Sequence, residues 1–482
     1  MNLQVLSVAS EVFPLIKTGG LADVAGALPG ALAAERVKVR TLLPGYPKVL
    51  AALGPQAEVV HVWPNLFGGE GRLVVGQASG LDVLAIDAPH LFARDGNPYL
   101  ASNGSDWPDN AFRFAALGRV AADIGHGHVP SATPDVIHAH DWQAGLALAY
   151  LHYDEGKRPG TVFTIHNMAF PGQFPASLLQ ALGLPGQAMS VDGIEYFGTI
   201  SYLKAGLRFA DRITTVSPTY AAEILTPENG MGFDGLLRAR QRVLFGVRNG
   251  IDDLVWNPAE DLYVAARYNA ADVTPRSANK NALQARLGLK QDPDALLFGV
   301  VSRLSDQKGL DLLLAAIPTI VELGAQLAVL GSGSRWYEDG FRNATAFHPG
   351  IIGVQLGYDE NLAHLIQAGS DALLVPSRFE PCGLTQLCAL RYGAIPVVAR
   401  VGGLADTVVD ANEMALASGA ATGIQFSPVT LDALQHALRR TAAIYRNKED
   451  WAGMMRAAMA TDVSWRRPAR VMANLYRDLV GG

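Results

Sequence analysis

Cysteine is nearly absent from the chain, whose 482 residues include only Cys382 and Cys388, six positions apart. A pair so close gives no disulfide framework and fits a reducing compartment, so we expect a cytoplasmic protein. No window of about 18 apolar residues is without charges or helix breakers, and no membrane span is predicted. The apolar stretch over residues 1–13 has no basic segment, which indicates a first buried strand rather than a signal peptide.

An excess of positive charge is also missing. Lys and Arg number 39 against 45 Asp and Glu, which gives a formal net charge of −6, and the cations are scattered along the sequence. Without a basic patch or stripe, no nucleic-acid partner and no membrane partner are expected. The composition, with 49% hydrophobic and 17% charged residues, is that of a globular protein. Its length predicts two or three domains.

Short β-branched runs alternate with longer helical patterns, which is typical of parallel βαβ units. We predict an α/β fold of two Rossmann-like domains facing each other across a deep cleft, residues 1–245 and 246–456, with a C-terminal helix over 457–482 completing the first. Ligands of such sheets bind beyond the carboxyl ends of the strands. Strands are predicted at 3–9, 37–44, 135–140, 161–166 and 212–217, then at 295–302, 325–331, 351–357, 371–377 and 395–400, with an antiparallel insertion over 59–87.

The pentapeptide GGLAD occurs twice, at residues 19–23 after Lys17 and at residues 402–406. Both copies follow a predicted strand, and paired glycines before a helix let the backbone approach an anion. Lys17 adds a point charge suited to phosphate. A plain strand-to-helix turn is the alternative, and for the second copy the two interpretations are about equally favoured.

Two further segments lie at predicted strand ends in the second half. Arg303 and Lys308 lie in SRLSDQKG, where two cations can neutralise a diphosphate and the charge that grows on it as a leaving group. Glu380 lies in SRFEPCGL, just before a helix that we expect to begin near Leu384. Surface cations and a buried structural carboxylate are the alternatives.

The segment HAHDWQ, residues 138–143, allows two functional interpretations. His138, His140 and Asp141, with His166 from the next strand, are residue types that bind metals. Their spacing is not that of a binuclear hydrolase, so binding of carbohydrate hydroxyls is favoured and no metal is predicted. For His138, a hydrogen-bonded core histidine is a third possibility.

Six motifs occur along the chain in the order KTGGLAD, TIHN (164–167), RNGID (248–252), SRLSDQKG, SRFEPCGLTQL and the second GGLAD. Together they resemble bacterial glycogen synthase over almost the whole chain. The resemblance implies the GT-B arrangement of two Rossmann-like domains. It also implies retaining transfer of glucose from ADP-glucose to the non-reducing end of an α-1,4-glucan such as glycogen, with release of ADP and without a cofactor. A non-catalytic nucleotide-sugar sensor and, less favoured, a metallohydrolase remain as alternatives.

The resemblance also implies residue roles. Arg303 and Lys308 would stabilise departing ADP, Glu380 would hold glucose hydroxyls, and His166 would bind the same glucose, so these four form the catalytic set. No β-face nucleophile can be named, which favours front-face attack over double displacement. The donor-binding positions are Lys17, Gly19, Gly20, Asn249, Tyr358 (against adenine), Gly383, Leu384 and Thr385, and the acceptor-side positions are Glu11, Tyr99 and Asp141.

Overall fold

Strands and helices alternate along most of the chain in the computed structural model, which describes residues 3–481. The strands are β1 (Leu3–Val8), β2 (Val37–Pro44), β3 (Glu58–Trp63), β4 (Gly71–Ala78), β5 (Leu81–Asp87), β6 (Val136–His140), β7 (Gly160–Ile165), β8 (Gln173–Pro175), β9 (Glu195–Tyr196), β10 (Thr199–Ser201), β11 (Arg212–Thr215), β12 (Leu244–Gly246), β13 (Leu297–Val301), β14 (Gln326–Gly331), β15 (Ile352–Leu356), β16 (Ala372–Val375), β17 (Ile395–Ala399) and β18 (Ile424–Phe426).

Helices lie between most of these strands and also follow the last strand. They are α1 (Gly20–Ala33), α2 (Pro47–Leu53), α3 (Pro89–Phe92), α4 (Asn110–His126), α5 (Asp141–Tyr153), α6 (Tyr202–Phe209), α7 (Pro218–Glu223), α8 (Asp234–Ala239), α9 (Arg276–Arg286), α10 (Leu310–Glu322), α11 (Arg335–Phe347), α12 (Glu360–Gly369), α13 (Thr385–Tyr392), α14 (Gly402–Thr407), α15 (Glu413–Ala417), α16 (Leu431–Arg446), α17 (Lys448–Ala460) and α18 (Arg466–Val480). Within residues 3–481, none of them is long and apolar enough to cross a bilayer.

The chain divides into two compact units, and it passes between them twice. The first unit runs up to Asn249 and resumes at Trp465, and the second is Gly250–Ser464. The sequence interpretation had the units change at residue 246 and again at 457. The single helix expected over 457–482 is instead the end of α17, a break, and α18. The break is held by Asp462, whose side chain accepts the backbone N–H of Ser464 at 3.0 Å and so forms a turn.

The first unit is built on a nine-stranded sheet in the order β12-β11-β7-β6-β1-β2-β5-β4-β3. It is parallel from β12 to β5, and its strands are nearly continuous apolar runs because helices cover both faces. The antiparallel pairs expected within residues 59–87 are present as β3–β4 and β4–β5. This segment is not a separate insertion, however, because β5 also pairs in parallel with β2 and belongs to the main sheet.

The second unit has one six-stranded parallel sheet in the order β15-β14-β13-β16-β17-β18. Five of its strands coincide with the predicted segments to within a few residues. The sixth, β18, is three residues long and carries too little apolar pattern to be recognised in the sequence. The strand order places β13 beside β16 and β16 beside β17, so the loops after these three strands leave the sheet as neighbours.

Helix α18 packs on the first unit's sheet, although its residues follow the whole second unit in sequence. Its apolar positions recur at the spacing of one helix face, and Met472 and Tyr476 pack with Val5 and Val162 of the strands. The Tyr476 hydroxyl also bonds to Nδ1 of His138 in β6 at 2.7 Å. A C-terminal helix was expected to complete the first unit, and α18 packs on that unit.

The two GGLAD copies both begin a helix, but they are packed differently. A Cβ added to Gly19 would meet nothing within 4 Å. In the second copy, Gly402 has a φ of +41° and its Cβ would lie 2.1 Å from the Glu380 carbonyl oxygen, while a Cβ on Gly403 would lie 2.2 Å from that of Cys382. Gly402 and Gly403 therefore need to be glycine to let two backbone segments touch, whereas Gly19 has room for a side chain.

This difference predicts that Gly403→Ala lowers the free energy of unfolding by about 2 kcal/mol or more, because the new methyl group overpacks against backbone. The matched variant Gly19→Ala is expected to cost less than about 1 kcal/mol, since the site has space. Urea unfolding of both variants measures the difference. Equal losses would contradict the packing described for the second copy.

Candidate active site

Three loops at the carboxyl end of the second sheet are joined around one carboxylate. Lys308, in the loop after β13, places Nζ 2.5 Å from Oε2 of Glu380, in the loop after β16. The Ser377 hydroxyl donates to the same oxygen at 2.8 Å. From the turn after β17, Gly403 donates its backbone N–H to the Glu380 carbonyl oxygen at 3.0 Å. The Glu380 side chain is buried, so its carboxylate depends on Lys308 and Ser377 for compensation.

A second link holds the same two loops and was not identified from the sequence. Both Nη atoms of Arg378 donate to the Asp311 carboxylate at 2.6 Å, a bidentate pair that lowers the pKa of Asp311. The Arg378 backbone N–H donates to the Gln307 carbonyl oxygen at 2.9 Å. Between them, Gly309 has a φ of +65°, and a Cβ there would lie 2.0 Å from the Pro376 carbonyl oxygen. The Lys308 loop therefore lies directly on the Glu380 loop.

Arg303 differs from Lys308 in its surroundings. Its side chain is exposed, and it has no hydrogen bond or ion pair to the residues that the structure describes. The loop beneath it is nevertheless fixed, because the Leu304 backbone N–H donates to the Ser332 carbonyl oxygen at 2.8 Å and Leu304 also bridges to Gly333. The predicted cation pair is thus one lysine already held by a carboxylate and one arginine whose guanidinium is available.

The start of α13 follows Glu380 directly. Gly383, at φ +69°, and Leu384 lead into the helix at Thr385, and the first N–H groups of a helix have no partners within it. The Gln386 side chain steadies the turn by donating to the Cys382 and Gly383 carbonyl oxygens at 3.0 and 2.7 Å. Cys382 and Cys388 are both buried.

Two other predicted donor residues lie apart from these loops along the chain. Tyr358 follows β15 and is 72% exposed, and its hydroxyl donates to the Glu360 carboxylate at the start of α12. Asn249 is buried at the end of the first unit. The exposed Tyr358 ring offers a flat apolar face for a base to stack on.

In the first unit, Glu11 ties the KTGG loop to Tyr99. Glu11 is buried, and its carboxylate accepts the Tyr99 hydroxyl at 3.1 Å and the Thr18 backbone N–H. Burial raises its pKa. Lys17, in the same loop, forms an ion pair at 2.9 Å with Asp23, the aspartate of the first GGLAD. Glu11 and Tyr99, predicted on the acceptor side, are therefore linked to the loop that carries Lys17, predicted on the donor side.

The histidines named from the sequence, His138, His140 and His166, bond to side chains that are not metal ligands or to each other. His138 uses both ring nitrogens, one with Tyr476 at 2.7 Å and one with Thr164 at 2.6 Å, as a core histidine does. His140 Nδ1 lies 3.1 Å from His166 Nε2. Among residues 3–481 no group of three or more His, Cys, Asp or Glu side chains is arranged to hold a metal ion. The metallohydrolase alternative has no support in this arrangement.

Asp141 begins α5 in an unusual backbone conformation. Its φ is +58°, a left-handed value that aspartate tolerates better than most residues, and its carboxylate accepts the Trp142 N–H at 3.1 Å. Burial raises its pKa to about 8. At neutral pH the Asp141 side chain is therefore mostly protonated and can donate a hydrogen bond as well as accept one.

A cavity of about 620 Å³ lies at the opposite, amino end of the first sheet, beside Arg158, Arg212 and Arg240. Arg240 donates to the Leu207 carbonyl oxygen at 3.4 Å, and Arg158 to that of Phe209 at 2.9 Å. These are carbonyls of the last turn of α6, where cations stabilise a helix end. Arg158 and Arg240 are thus accounted for by helix capping, and the candidate chemistry lies at the carboxyl ends of the strands.

Known proteins match both halves of the chain and the whole of it. Residues 4–239 match the model of the starch synthase catalytic domain, and residues 281–451 match that of glycosyl transferases group 1. The chain is 60% identical over 478 residues to a glycogen synthase of Rhodopseudomonas palustris strain BisA53, covering 99% of this chain and 98% of that one. It is 61% identical over 477 residues to glycogen synthase 2 of Bradyrhizobium diazoefficiens, covering 99% and 98%.

A solved structure shows the same fold. The catalytic domain of starch synthase IV from Arabidopsis thaliana, described as bound to ADP and acarbose, is 31% identical and has a TM-score of 0.89 over 100% of both chains. Two α/β units with parallel sheets, and loops that gather cations and a carboxylate at the strand ends, define a glycosyltransferase of the GT-B class. The chain belongs to the glycogen synthase family.

The raised pKa of Asp141 predicts how stability depends on pH. Between about pH 4 and pH 8 the folded chain holds a proton that the unfolded chain releases, so this group makes the free energy of unfolding fall as pH rises, by at most about 1.4 kcal/mol per pH unit. Asp141→Asn tolerates the same backbone conformation and has no such proton. Its stability relative to the original chain should therefore increase from pH 5 to pH 8.

Urea unfolding at four pH values in this range measures the effect. The exposed Asp253→Asn is the matched control and is expected to leave the pH dependence unchanged. Parallel stability curves for Asp141→Asn and the original chain would show that the buried carboxyl is not protonated at neutral pH.

Proposed function

We propose that the chain transfers glucose, with retention of configuration, from ADP-glucose to the non-reducing end of an α-1,4-glucan such as glycogen, and releases ADP. The names of its relatives support the glucan as acceptor, and the description of the Arabidopsis structure as bound to ADP supports an adenine donor. Neither a metal nor a cofactor has a part in this proposal. Because the chain has only two cysteines, six positions apart and both buried, the cytoplasm is the proposed compartment.

The observation that carries the proposal is the Lys308–Glu380 pair beside the exposed Arg303 and the start of α13. In the protein by itself, Glu380 compensates the charge of Lys308 at 2.5 Å. A bound diphosphate would give Lys308 a second anionic partner. It would also give an anionic partner to the Arg303 side chain, which forms no ion pair with residues 3–481. Preorganised cations of this kind stabilise the negative charge that develops on a departing nucleoside diphosphate.

Glu380 is suited to hold the glucose rather than to attack it. Both of its protein donors, Lys308 and Ser377, reach Oε2. We assign Oε1 to the hydroxyl groups of glucose. The N–H groups at Gly383, Leu384 and Thr385 are assigned to the donor phosphates, because a helix N-terminus favours an anion.

The remaining roles are proposed for residues of both units. We assign Tyr358 to the adenine ring, Asn249 and His166 to the glucose, and the KTGG loop, with Lys17, Gly19 and Gly20, to the donor. Glu11, Tyr99 and Asp141 are assigned to the acceptor glucan. Buried hydroxyl and carboxyl groups such as these suit sugar hydroxyls, which both donate and accept hydrogen bonds.

For the chemical step we propose front-face substitution. The bond between glucose C1 and the phosphate oxygen breaks as the bond from C1 to the acceptor hydroxyl oxygen forms on the same face. The proton of that hydroxyl passes to the departing phosphate, so no separate base is needed. Arg303 and Lys308 stabilise the ADP that leaves.

The test is incorporation of radiolabelled glucose into glycogen, run in parallel with ADP-glucose and UDP-glucose. We expect incorporation from ADP-glucose, at a higher rate than from UDP-glucose, and no loss of rate with a chelator. Binding of ADP-glucose without incorporation would instead identify a nucleotide-sugar sensor. Loss of the activity on chelation would restore a metal-dependent mechanism.

The role of Lys308 predicts that Lys308→Ala lowers kcat by about 10²-fold or more, in line with the loss of one preorganised charge stabiliser. The variant leaves Glu380 buried without its cation, so folding is checked by circular dichroism and thermal unfolding. Lys48→Ala, at an exposed lysine, is the control. An unchanged kcat in folded Lys308→Ala would remove Lys308 from this role.

Stacking of adenine on Tyr358 predicts that Tyr358→Ala raises the KM for ADP-glucose about tenfold, because stacking of a base on an aromatic ring contributes about 1–3 kcal/mol. Tyr358→Phe keeps the ring and loses only the hydroxyl bond to Glu360. It is expected to keep a KM close to that of the original chain. Steady-state kinetics of the original chain and of both variants measure the KM for ADP-glucose. Equal KM values for these three proteins would exclude stacking.

A further inference from the structure

His140 is a buried residue that the proposed reaction does not use, and it lies one strand away from His166. His140 is the last residue of β6, and His166 comes directly after β7, its parallel neighbour in the sheet. His140 Nδ1 and His166 Nε2 are 3.1 Å apart, within hydrogen-bond distance. His140 is 1% exposed, whereas His166 is only partly buried.

Both imidazoles are neutral at physiological pH. Burial lowers the pKa of His166 to about 3 and that of His140 well below its ordinary value. A neutral imidazole has one N–H and one lone pair. A hydrogen bond between two such rings therefore has two possible forms, which differ in the ring that donates.

The second nitrogen of His140 distinguishes the two forms. His140 Nε2 is buried and has no hydrogen-bond partner among residues 3–481. If His166 donated, the proton of His140 would be on Nε2 and would form an unpaired buried N–H. Such orphaned donors are rarer in proteins than acceptors left with an unused lone pair. The favoured form has the His140 proton on Nδ1, donated to His166 Nε2.

We infer that His140 is a positioning residue that holds His166 in the Nδ1–H tautomer. Because His166 Nε2 accepts the proton of His140, the single proton of His166 is on Nδ1. His166 then offers an N–H donor, not a lone pair, to a ligand. This inference rests on the proposed function only for the identity of that ligand, a hydroxyl group of glucose.

The neighbouring histidine keeps His140 in place. The ring centroids of His138 and His140 are 4.0 Å apart, and His138 is itself hydrogen-bonded to both Tyr476 and Thr164. His140 can therefore neither turn away from His166 nor exchange its two nitrogens without displacing a ring that has both of its own nitrogens bonded. This packing makes the orientation of His140, and with it the tautomer of His166, a property of the folded core.

The test uses the full-length enzyme with ¹⁵N-labelled histidine, because two-bond ¹H–¹⁵N correlation spectra distinguish the two tautomers. His166→Gln identifies the His166 signals. We expect the Nδ1–H pattern in the original chain and a mixture of tautomers in His140→Leu, which removes the donor. His140→Asn places an amide N–H near the position of Nδ1 and should restore the Nδ1–H pattern.

Tyr476→Phe is the matched control for a purely structural effect. It removes one of the two hydrogen bonds of His138 and leaves the bond to Thr164 and the ring packing, so the unfolding temperature should fall while the His166 signals stay unchanged. In steady-state kinetics, kcat/KM for ADP-glucose should fall about fivefold to tenfold in His140→Leu, in line with the loss of one oriented hydrogen bond, and recover in His140→Asn.

An Nε2–H pattern in the original chain, or a pure Nδ1–H pattern in His140→Leu, would overturn the inference. A chain that shows the expected spectra but makes no glucan would leave the tautomer assignment supported and the proposed function refuted. The two failures are therefore distinguishable in one set of proteins.

Discussion

The ion pair between Lys308 and Glu380 sets the arrangement of the loops at the second unit's strand ends. A buried ion pair adds little net stability, but a buried carboxylate without its cation is costly. The loops after β13 and β16 must therefore stay together for the Glu380 carboxylate to keep its cation, and Arg378 and Asp311 hold them there with a second pair. Glycines at 309, 402 and 403 allow the backbone contacts that this closeness requires.

The first unit uses a different electrostatic principle. Three of its candidate residues are groups whose neutral form is favoured by burial, with raised pKa values for Glu11 and Asp141 and a lowered one for His166. Neutral groups with fixed donors and acceptors suit sugar hydroxyls, whereas the charged groups of the second unit suit phosphate. The proposed roles match these charge states at Glu11 and Asp141, which are assigned to the glucan, and at Arg303 and Lys308, which are assigned to the departing diphosphate. Lys17 of the first unit and Glu380 of the second are exceptions.

Much of the fold follows from local pattern, since strands such as Val37–Pro44 were predicted to the residue. The short strand β18 and the break before α18 were missed because three residues, or one turn made by Asp462, leave no periodic signal. At the site, Lys308 and Glu380 could be named from their motifs. Their contact depends on the order of strands in the sheet, and the bidentate bond between Arg378 and Asp311 joins residues 67 apart.

The repeated GGLAD shows the same limit from another side. Both copies have the same five residues and start a helix. The sequence does not show, however, that Gly402 and Gly403 touch the Glu380 loop while Gly19 has space around it. Identical sequence therefore gives neither identical backbone geometry nor identical packing, because Gly19 has a φ of −158° and the matching Gly402 has a φ of +41°. What each copy contributes depends on which distant segment lies against it.

The position of α18 has a consequence for how the molecule is made. His138 and Tyr476, 338 residues apart, meet in a core that also contains Val5 and Val162. On the ribosome, residues 3–249 emerge first, but the part of this sheet face that α18 covers stays exposed until residues 465–480 have been synthesised. Residues 250–464 are by then already complete and can fold as a unit. The half of the enzyme whose synthesis starts first is thus the half that is finished last.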